Sequence, residues 1–153
     1  MKNQFRKTIT AVTFSLVLFS SCSKNSAAID AVAVAAKDSV TASVTAGNFV
    51  VSSFVQRTED KTSQFKNIVF KFSANGTLTA TDNGTVTNGT WSFTPAVTYY
   101  GATSKSAFVI NMGASTPLSL LTKTWNISLN STTLLQIDSP ELLEDEHVQF
   151  SRL

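Results

Sequence analysis

The residues that could perform acid-base or metal chemistry are few and lie mostly near the C-terminal end of the chain. The one histidine, His147, directly follows the acidic run Glu141–Glu146. Imidazole and carboxylate groups bind metal ions when several of them converge on one point. Glu144, Asp145 and Glu146 are consecutive, so their side chains cannot easily all face one ion. We therefore predict a solvated loop before the last strand, with no metal and no cofactor.

A catalytic nucleophile is not indicated by the sequence either. Serines are abundant, but none lies within a Gly-x-Ser-x-Gly turn of the kind that exposes a nucleophilic hydroxyl. The run Arg57–Lys61 (RTEDK) is typical of a polar connection and not of a catalytic carboxylate pair. We therefore predict that the protein is not an enzyme. An enzyme that uses Asp60 or the run Glu141–Glu146 is kept as a third alternative.

The single cysteine, Cys22, ends a short apolar segment near the N-terminus. Lys2, Arg6 and Lys7 precede this segment, which has the length of a secretory h-region and is too short to span a bilayer. It ends in Ser-Ser-Cys and resembles the lipobox of bacterial lipoproteins, in which the cysteine thiol receives a diacylglycerol. The resemblance implies a lipoprotein signal peptide over 1–21, cleavage before Cys22 and a membrane anchor made of acyl chains.

The charge and composition change once the signal peptide is set aside. Residues 1–21 hold three of the 12 Lys+Arg and none of the 10 Asp+Glu, so the balance moves from +2 to −1 without them. No basic patch remains to bind nucleic acid. Residues 22–46 are small and free of aromatics, which favours a flexible tether after the lipidated cysteine. A helix over 27–36 is the alternative, but its apolar residues would have little to bury against.

The residues after Cys22 also bear on location. An acidic run often follows the cysteine in surface-displayed lipoproteins, whereas Lys24 and Asn25 stand here. We therefore expect anchoring in the outer membrane on its periplasmic face. Asp38-Ser39-Val40 resembles an Asp-Ser/Thr-apolar acceptor of O-glycosylation in bacteria that carry such lipoproteins. Chance occurrence of the tripeptide is the alternative.

Residues 47–153 change to period-two alternation and Asn-Gly turns, which predicts one all-β domain. Ile68, Phe70 and Phe72 share one face, and Asn75-Gly76 provides a hairpin turn. We read the same turn chemistry in two further Asn-Gly pairs, Asn83-Gly84 and Asn88-Gly89. The count is about eight short strands, which fits a closed meander barrel or, alternatively, a two-sheet β-sandwich.

The order of motifs in this domain resembles the lipocalin-like domains of many Bacteroidota lipoproteins. The stretches that carry the resemblance are GNF at the first strand, FKFSANGTLTATDNGTVTNGTWSF, TPLSLLTKTWNISLNSTTLLQI and the final VQFSRL. It implies an eight-stranded up-and-down barrel with a cup for a small apolar molecule. It also implies a structural pair in which Arg152 lies over Phe49, a position where the family carries Trp. The alternative is that Phe49 is only core and Arg152 a solvated terminal residue.

Aromatic residues are the candidates for ligand binding. Those that alternate on strands are core by default, or line a cup if the barrel is incompletely filled, and they are Phe70, Phe72, Trp91, Phe108 and Trp125. Tyr99 and Tyr100 lie in a connection, where they suit stacking on a sugar or peptide, or a role as buried loop anchors.

The leading hypothesis is a membrane-anchored, monomeric module that binds a small apolar or amphipathic ligand. The alternative is a non-enzymatic structural or interaction subunit of a cell-envelope assembly, with a solid barrel. One form of this alternative is an assembly that handles glycans. The state of the interior separates the two: an open apolar cavity favours the first, and a filled interior with an exposed aromatic patch favours the second.

Overall fold

The computed structural model of the protein describes residues 24–153. In this part of the chain one long helix is followed by eleven strands and two short 3₁₀ helices. The helix is α1 (Lys24–Thr45), and the 3₁₀ helices are η1 (Thr62–Phe65) and η2 (Leu118–Leu121). The strands are β1 (Asn48–Gln56), β2 (Glu59–Asp60), β3 (Ile68–Phe72), β4 (Thr77–Asp82), β5 (Thr85–Thr94), β6 (Thr98–Tyr99), β7 (Ala102–Thr103), β8 (Ala107–Asn111), β9 (Lys123–Asn130), β10 (Leu134–Asp138) and β11 (Glu146–Arg152).

Eight antiparallel strands form a closed, lipocalin-like up-and-down barrel, as the sequence predicts. Their order around the barrel is β1, β3, β4, β5, β8, β9, β10 and β11. The last strand returns to the first, with pairs from Phe49↔Arg152 to Gln56↔Glu146. This pairing joins the two edges of one sheet, so the sandwich alternative does not hold. Strand β2 extends β1 as a short hairpin, and β6 and β7 form a separate hairpin.

Two of the three predicted Asn-Gly turns are present. Asn83 and Gly84 both have positive φ and join β4 to β5 as a two-residue turn. At Asn75-Gly76 a hairpin also forms, although only Gly76 has positive φ. The prediction of a turn at Asn88-Gly89 is wrong, because both residues lie inside β5 and pair with β4. A Cβ on Gly89 would lie 2.2 Å from the Asn111 carbonyl oxygen, so this glycine allows close backbone approach.

The barrel is packed from end to end with apolar side chains. At one end Phe65 of η1 packs against Phe54 and Phe70, with ring centroids 5.5 and 6.4 Å apart. Leu121 of η2 is fully buried at the same end. At the other end Val44 of α1 belongs to the same core and is also fully buried. Each end of the barrel is therefore covered by a helical segment.

The helix α1 corrects the expectation of a flexible tether over 22–46 for the part from Lys24 to Thr45. Its last turn packs against the barrel, where Ser43 donates hydrogen bonds to Asn130 Oδ1 (2.7 Å) and to the Ser131 carbonyl (3.0 Å). These long-range contacts, together with buried Val44, give the helix the apolar and polar partners that a local reading of the sequence does not supply. Within residues 24–153, no helix has the length and apolar character needed to cross a membrane.

Candidate functional site

The five aromatic candidates, core by default or lining a cup in an incompletely filled barrel, lie in the barrel core. Phe70, Phe72, Phe108 and Trp125 are fully buried and Trp91 nearly so. Phe72 is the centre of the network, with its ring centroid 5.6 Å from Trp91, 5.9 Å from Phe108 and 6.0 Å from Phe150. These separations are those of aromatic pairs in direct contact. The rings pack against one another in the barrel interior, and in this structure they are core residues.

The polar atoms of the two tryptophans are also satisfied within the protein. Trp91 Nε1 donates to the Ser73 carbonyl and Trp125 Nε1 to the Leu121 carbonyl, each at 2.9 Å. Buried indole N–H groups need such partners. Neither donor is therefore directed at a ligand inside the barrel.

Phe49 and Arg152 lie together where the first and last strands meet. The guanidinium carbon of Arg152 is 5.3 Å from the centre of the Phe49 ring, and the guanidinium donates a hydrogen bond to the Ser43 carbonyl. A Cβ on Gly47 would lie 3.0 Å from Arg152 Cδ, so a glycine at that position leaves room for the arginine stem. The pair closes the barrel and holds the end of α1.

A groove of about 250 Å³ lies outside the barrel interior, between α1 and the neighbouring strands. Its apolar floor includes Trp91 and Phe93, and Lys37 and Thr41 of α1 form one wall. Asn75 of the β3–β4 turn contributes a polar group. This groove combines a cation with aromatic surface, which suits the carboxylate and chain of a small amphipathic molecule. It is somewhat smaller than a common small-molecule site.

Tyr99 and Tyr100 project from the β6–β7 hairpin and are exposed by 57% and 92%. Tyr100 and Gly101 form a two-residue turn in which both have positive φ (49° and 80°). Such turns favour Asn, Asp or Gly, and a bulky residue in this conformation costs stability. The two tyrosine rings contact each other edge to face with centroids 4.3 Å apart. The turn therefore holds an aromatic pair in solvent at a conformational cost.

Hydrogen bonds link the two strands of this hairpin and the residues at their base. The hydroxyls of Thr98 and Thr103 are 2.8 Å apart across the strands. Ser104 Oγ accepts a hydrogen bond from the Val97 N–H (2.9 Å), and the Ser104 N–H donates to the Val97 carbonyl (2.9 Å). The tyrosine pair is thus carried on a preorganised support.

The acidic run before β11 forms an ordered loop with His147 beside it. His147 Nδ1 lies 2.8 Å from Asp138 Oδ1, and its Nε2 lies 3.1 Å from Asp145 Oδ1. The hydrogen bond to Asp138 is the largest cause of a raised histidine pKa; burial opposes this effect, and Asp145 adds to it. His147 is half exposed, so this cluster is a surface ion network. Among the residues that the structure describes, no three His, Cys, Asp or Glu side chains converge to hold a metal ion.

A second network surrounds Glu146, the buried carboxylate at the start of β11. Glu146 is 3% exposed and accepts hydrogen bonds from Gln56 Nε2 (2.6 Å) and from Lys123 Nζ. Lys123 also pairs with Glu144 at 3.0 Å. Burial alone would lower the pKa of Lys123, but the two carboxylates together raise it. Every charge in this network has an opposite partner, as expected of a structural ion cluster.

Charge is unevenly divided between the two ends of the barrel. All carboxylates of the barrel domain lie at or beside the end where β1 finishes, which we call the acidic end: Glu59, Asp60, Asp82, Asp138, Glu141, Glu144, Asp145 and Glu146. Four basic residues share that end: Arg57, Lys61, Lys66 and Lys123. The opposite end, with the tyrosine hairpin, has Lys71, Lys105 and Arg152 and no carboxylate from the barrel.

Two surface features, an exposed leucine pair and the α1 side of the groove, are absent from the predictions made from the sequence. Leu142 and Leu143 at the acidic end are exposed by 95% and 85%. A signal for them exists, because this apolar pair lies among acidic residues and outside any alternating strand pattern. Lys37 and Thr41 reach the groove only because α1 packs on the barrel. No local sequence pattern indicates this packing. The predicted signal peptide (1–21) and the predicted lipidation site Cys22 lie outside the described residues. Comparison of the chain with protein-family models, with curated proteins and with solved structures finds no match.

Proposed function

We propose that the protein is a non-enzymatic recognition module of the cell envelope that binds a glycan with the tyrosine hairpin on its outer surface. The observation that carries the proposal is Tyr100, which is 92% exposed in a left-handed conformation at the tip of the hairpin. Residues held in strained conformations cluster at functional sites. The contacts among the buried rings support the same proposal, because aromatic side chains that pack against one another in the core leave the surface as the place for recognition.

The chemistry of the hairpin favours a glycan. Tyrosine offers a large, stiff ring that stacks on the C–H face of a sugar and a hydroxyl that can form a hydrogen bond. Thr98, Thr103 and Ser104 place further hydroxyls beside the ring pair, and the segment 94–106 holds one charge, Lys105. A neutral or weakly anionic sugar fits such a surface.

Attachment to the outer membrane through lipidated Cys22, on the periplasmic face, is part of the proposal. Support comes from the N-terminal sequence, whose apolar segment ends in Ser-Ser-Cys. Multiple acyl chains would give stable anchoring. Radiolabelled fatty acid should enter the wild type and not Cys22→Ser; equal labelling of both would remove the anchor from the proposal.

Glycan binding is tested with the purified protein on an array of envelope glycans, followed by titration of the glycans selected. Tyr99→Ala/Tyr100→Ala should lose at least about tenfold in affinity, because exposed aromatic anchors carry much of the binding energy at a recognition surface. Val86→Ala, which alters an exposed apolar residue at the acidic end, is the matched control and should bind as the wild type does. Binding that survives the double substitution would refute the proposal.

The groove supports a second candidate function, the binding of a small anionic amphipathic molecule. Lys37 lines the same 250 Å³ space as Trp91 and Phe93. A calorimetric titration with dodecanoate tests it. Lys37→Ala should abolish saturable binding, and Lys71→Ala, a change of an exposed lysine outside the groove, should not. Equal binding by both variants, or none by the wild type, would reject this candidate.

A further inference from the structure

The Leu142–Leu143 pair is the most exposed apolar feature of the acidic end. Both leucines lie between β10 and β11 in the loop 139–145, and neither contributes to the barrel core. Two adjacent leucines in water form an apolar projection that residues 24–153 leave almost fully exposed. Clustered apolar exposure of this kind marks interaction sites.

The loop that carries the leucines is held in place by internal hydrogen bonds. Ser139 Oγ donates to Glu144 Oε2 at 2.6 Å, and Glu144 is also paired with Lys123. From the neighbouring hairpin, Arg57 Nε donates to the Leu143 carbonyl at 3.2 Å and the Arg57 N–H donates to the Asp145 carbonyl at 2.7 Å. The backbone is therefore ordered before any partner arrives, which lowers the entropic cost of binding.

Charge around the leucines indicates which kind of partner fits. Glu141 precedes the pair and is exposed, and Glu144 and Asp145 follow it. A membrane surface with anionic lipids would repel this loop. A protein pocket with an apolar floor and a rim of lysine or arginine would match both the leucines and the surrounding carboxylates.

We propose that the Leu142–Leu143 loop is a docking element that inserts into an apolar, basic-rimmed pocket of a partner protein. The loop lies at the end of the barrel opposite the tyrosine hairpin. The proposal does not depend on glycan binding, and it gives the module a second, separate contact. A protein that used both ends would bridge its two partners.

Site-specific photocrosslinking in the native host, with the full chain, tests this proposal. A benzoylphenylalanine at position 142 should give one discrete protein adduct, and the same residue at position 86 is the control. Val86 is an exposed aliphatic residue at the same end, beside the β4–β5 turn. The crosslinked partner peptide, identified by mass spectrometry, should lie beside lysine or arginine residues.

Charge reversal provides the second measurement. Glu141→Lys should lower the yield of the adduct at position 142 about threefold or more, because rim charges steer association. Asp82→Lys makes the same change in net charge away from the leucines and should leave the yield near that of the wild type. Thermal unfolding of each variant checks that the fold is kept. No adduct above the position-86 control, an adduct with lipid or with a second copy of this chain, or equal effects of the two charge reversals would overturn the proposal.

Discussion

The guanidinium carbon of Arg152 lies 5.3 Å from the centre of the Phe49 ring and so connects the last strand of the barrel to the first. The same guanidinium donates a hydrogen bond to the Ser43 carbonyl in the last turn of α1. One side chain thereby closes the barrel and holds the helix.

Replacing Arg152 with methionine should destabilise the protein by about 1–3 kcal/mol, because the cation–π contact and a charged hydrogen bond are lost while the apolar stem is kept. Urea unfolding measures the change in free energy, and hydrogen exchange should show faster exchange at the end of α1. Lys71→Met, at an exposed strand position, is the control and should be nearly neutral. Equal stability of the two variants would contradict a structural role for Arg152.

The filled interior leads to a prediction about Phe72. Its removal in Phe72→Ala should cost about 3–5 kcal/mol, since the ring is fully buried against other aromatic rings. The apolar cavity left behind should take up benzene or xenon, whereas the wild type should not. NMR shifts on addition of the gas or solute measure this directly. Uptake by the wild-type interior would show that the barrel is open.

Gly89 should be intolerant of any side chain. In Gly89→Ala the new methyl group would meet the Asn111 carbonyl oxygen at 2.2 Å and Met112 Sδ at 2.5 Å. We expect a loss of about 1–3 kcal/mol or more from overpacking. Asn88→Ala, at the exposed neighbouring position, should stay within about 0.5 kcal/mol of the wild type. A stable Gly89→Ala would mean that β5 and β8 can separate at this point.

His147 should make a small part of the stability depend on pH. Its pKa is raised in the folded state by Asp138 and Asp145, so the contribution of its charged form is complete below the ordinary histidine pKa of about 6.5 and is lost as the pH rises through the higher folded value. Because the site is half exposed, the change in Tm should be only about 1–3 °C. His147→Gln should remove this dependence. A wild-type advantage that grows as the pH rises would contradict the assignment.

The strands could be predicted from the sequence because alternation and turn chemistry are local properties. Ile68, Phe70 and Phe72 face the core as expected, and β1 runs from Asn48 to Gln56. Alternation along β9 predicts Leu129 on the same face as Trp125 and Ile127, but a register shift between β9 and β10 leaves Leu129 exposed.

Features that depend on distant partners could not be predicted in the same way. The helix α1 is stabilised at its last turn by Asn130 and Arg152, which are remote in sequence. Filling of the interior depends on how the rings fit together, and no single strand carries that information. Tyr99 and Tyr100 could be named as surface candidates, but the left-handed conformation of Tyr100 emerges only from the hairpin.

The most direct test of surface recognition is the glycan affinity of Tyr100→Gly, measured by titration against the glycan that the array selects. Glycine suits the positive φ of 49° at this position, so the variant should keep or raise the melting temperature while it removes the exposed ring. We predict a loss of affinity of at least about tenfold with the fold intact. Unchanged affinity in a folded Tyr100→Gly protein would contradict the account.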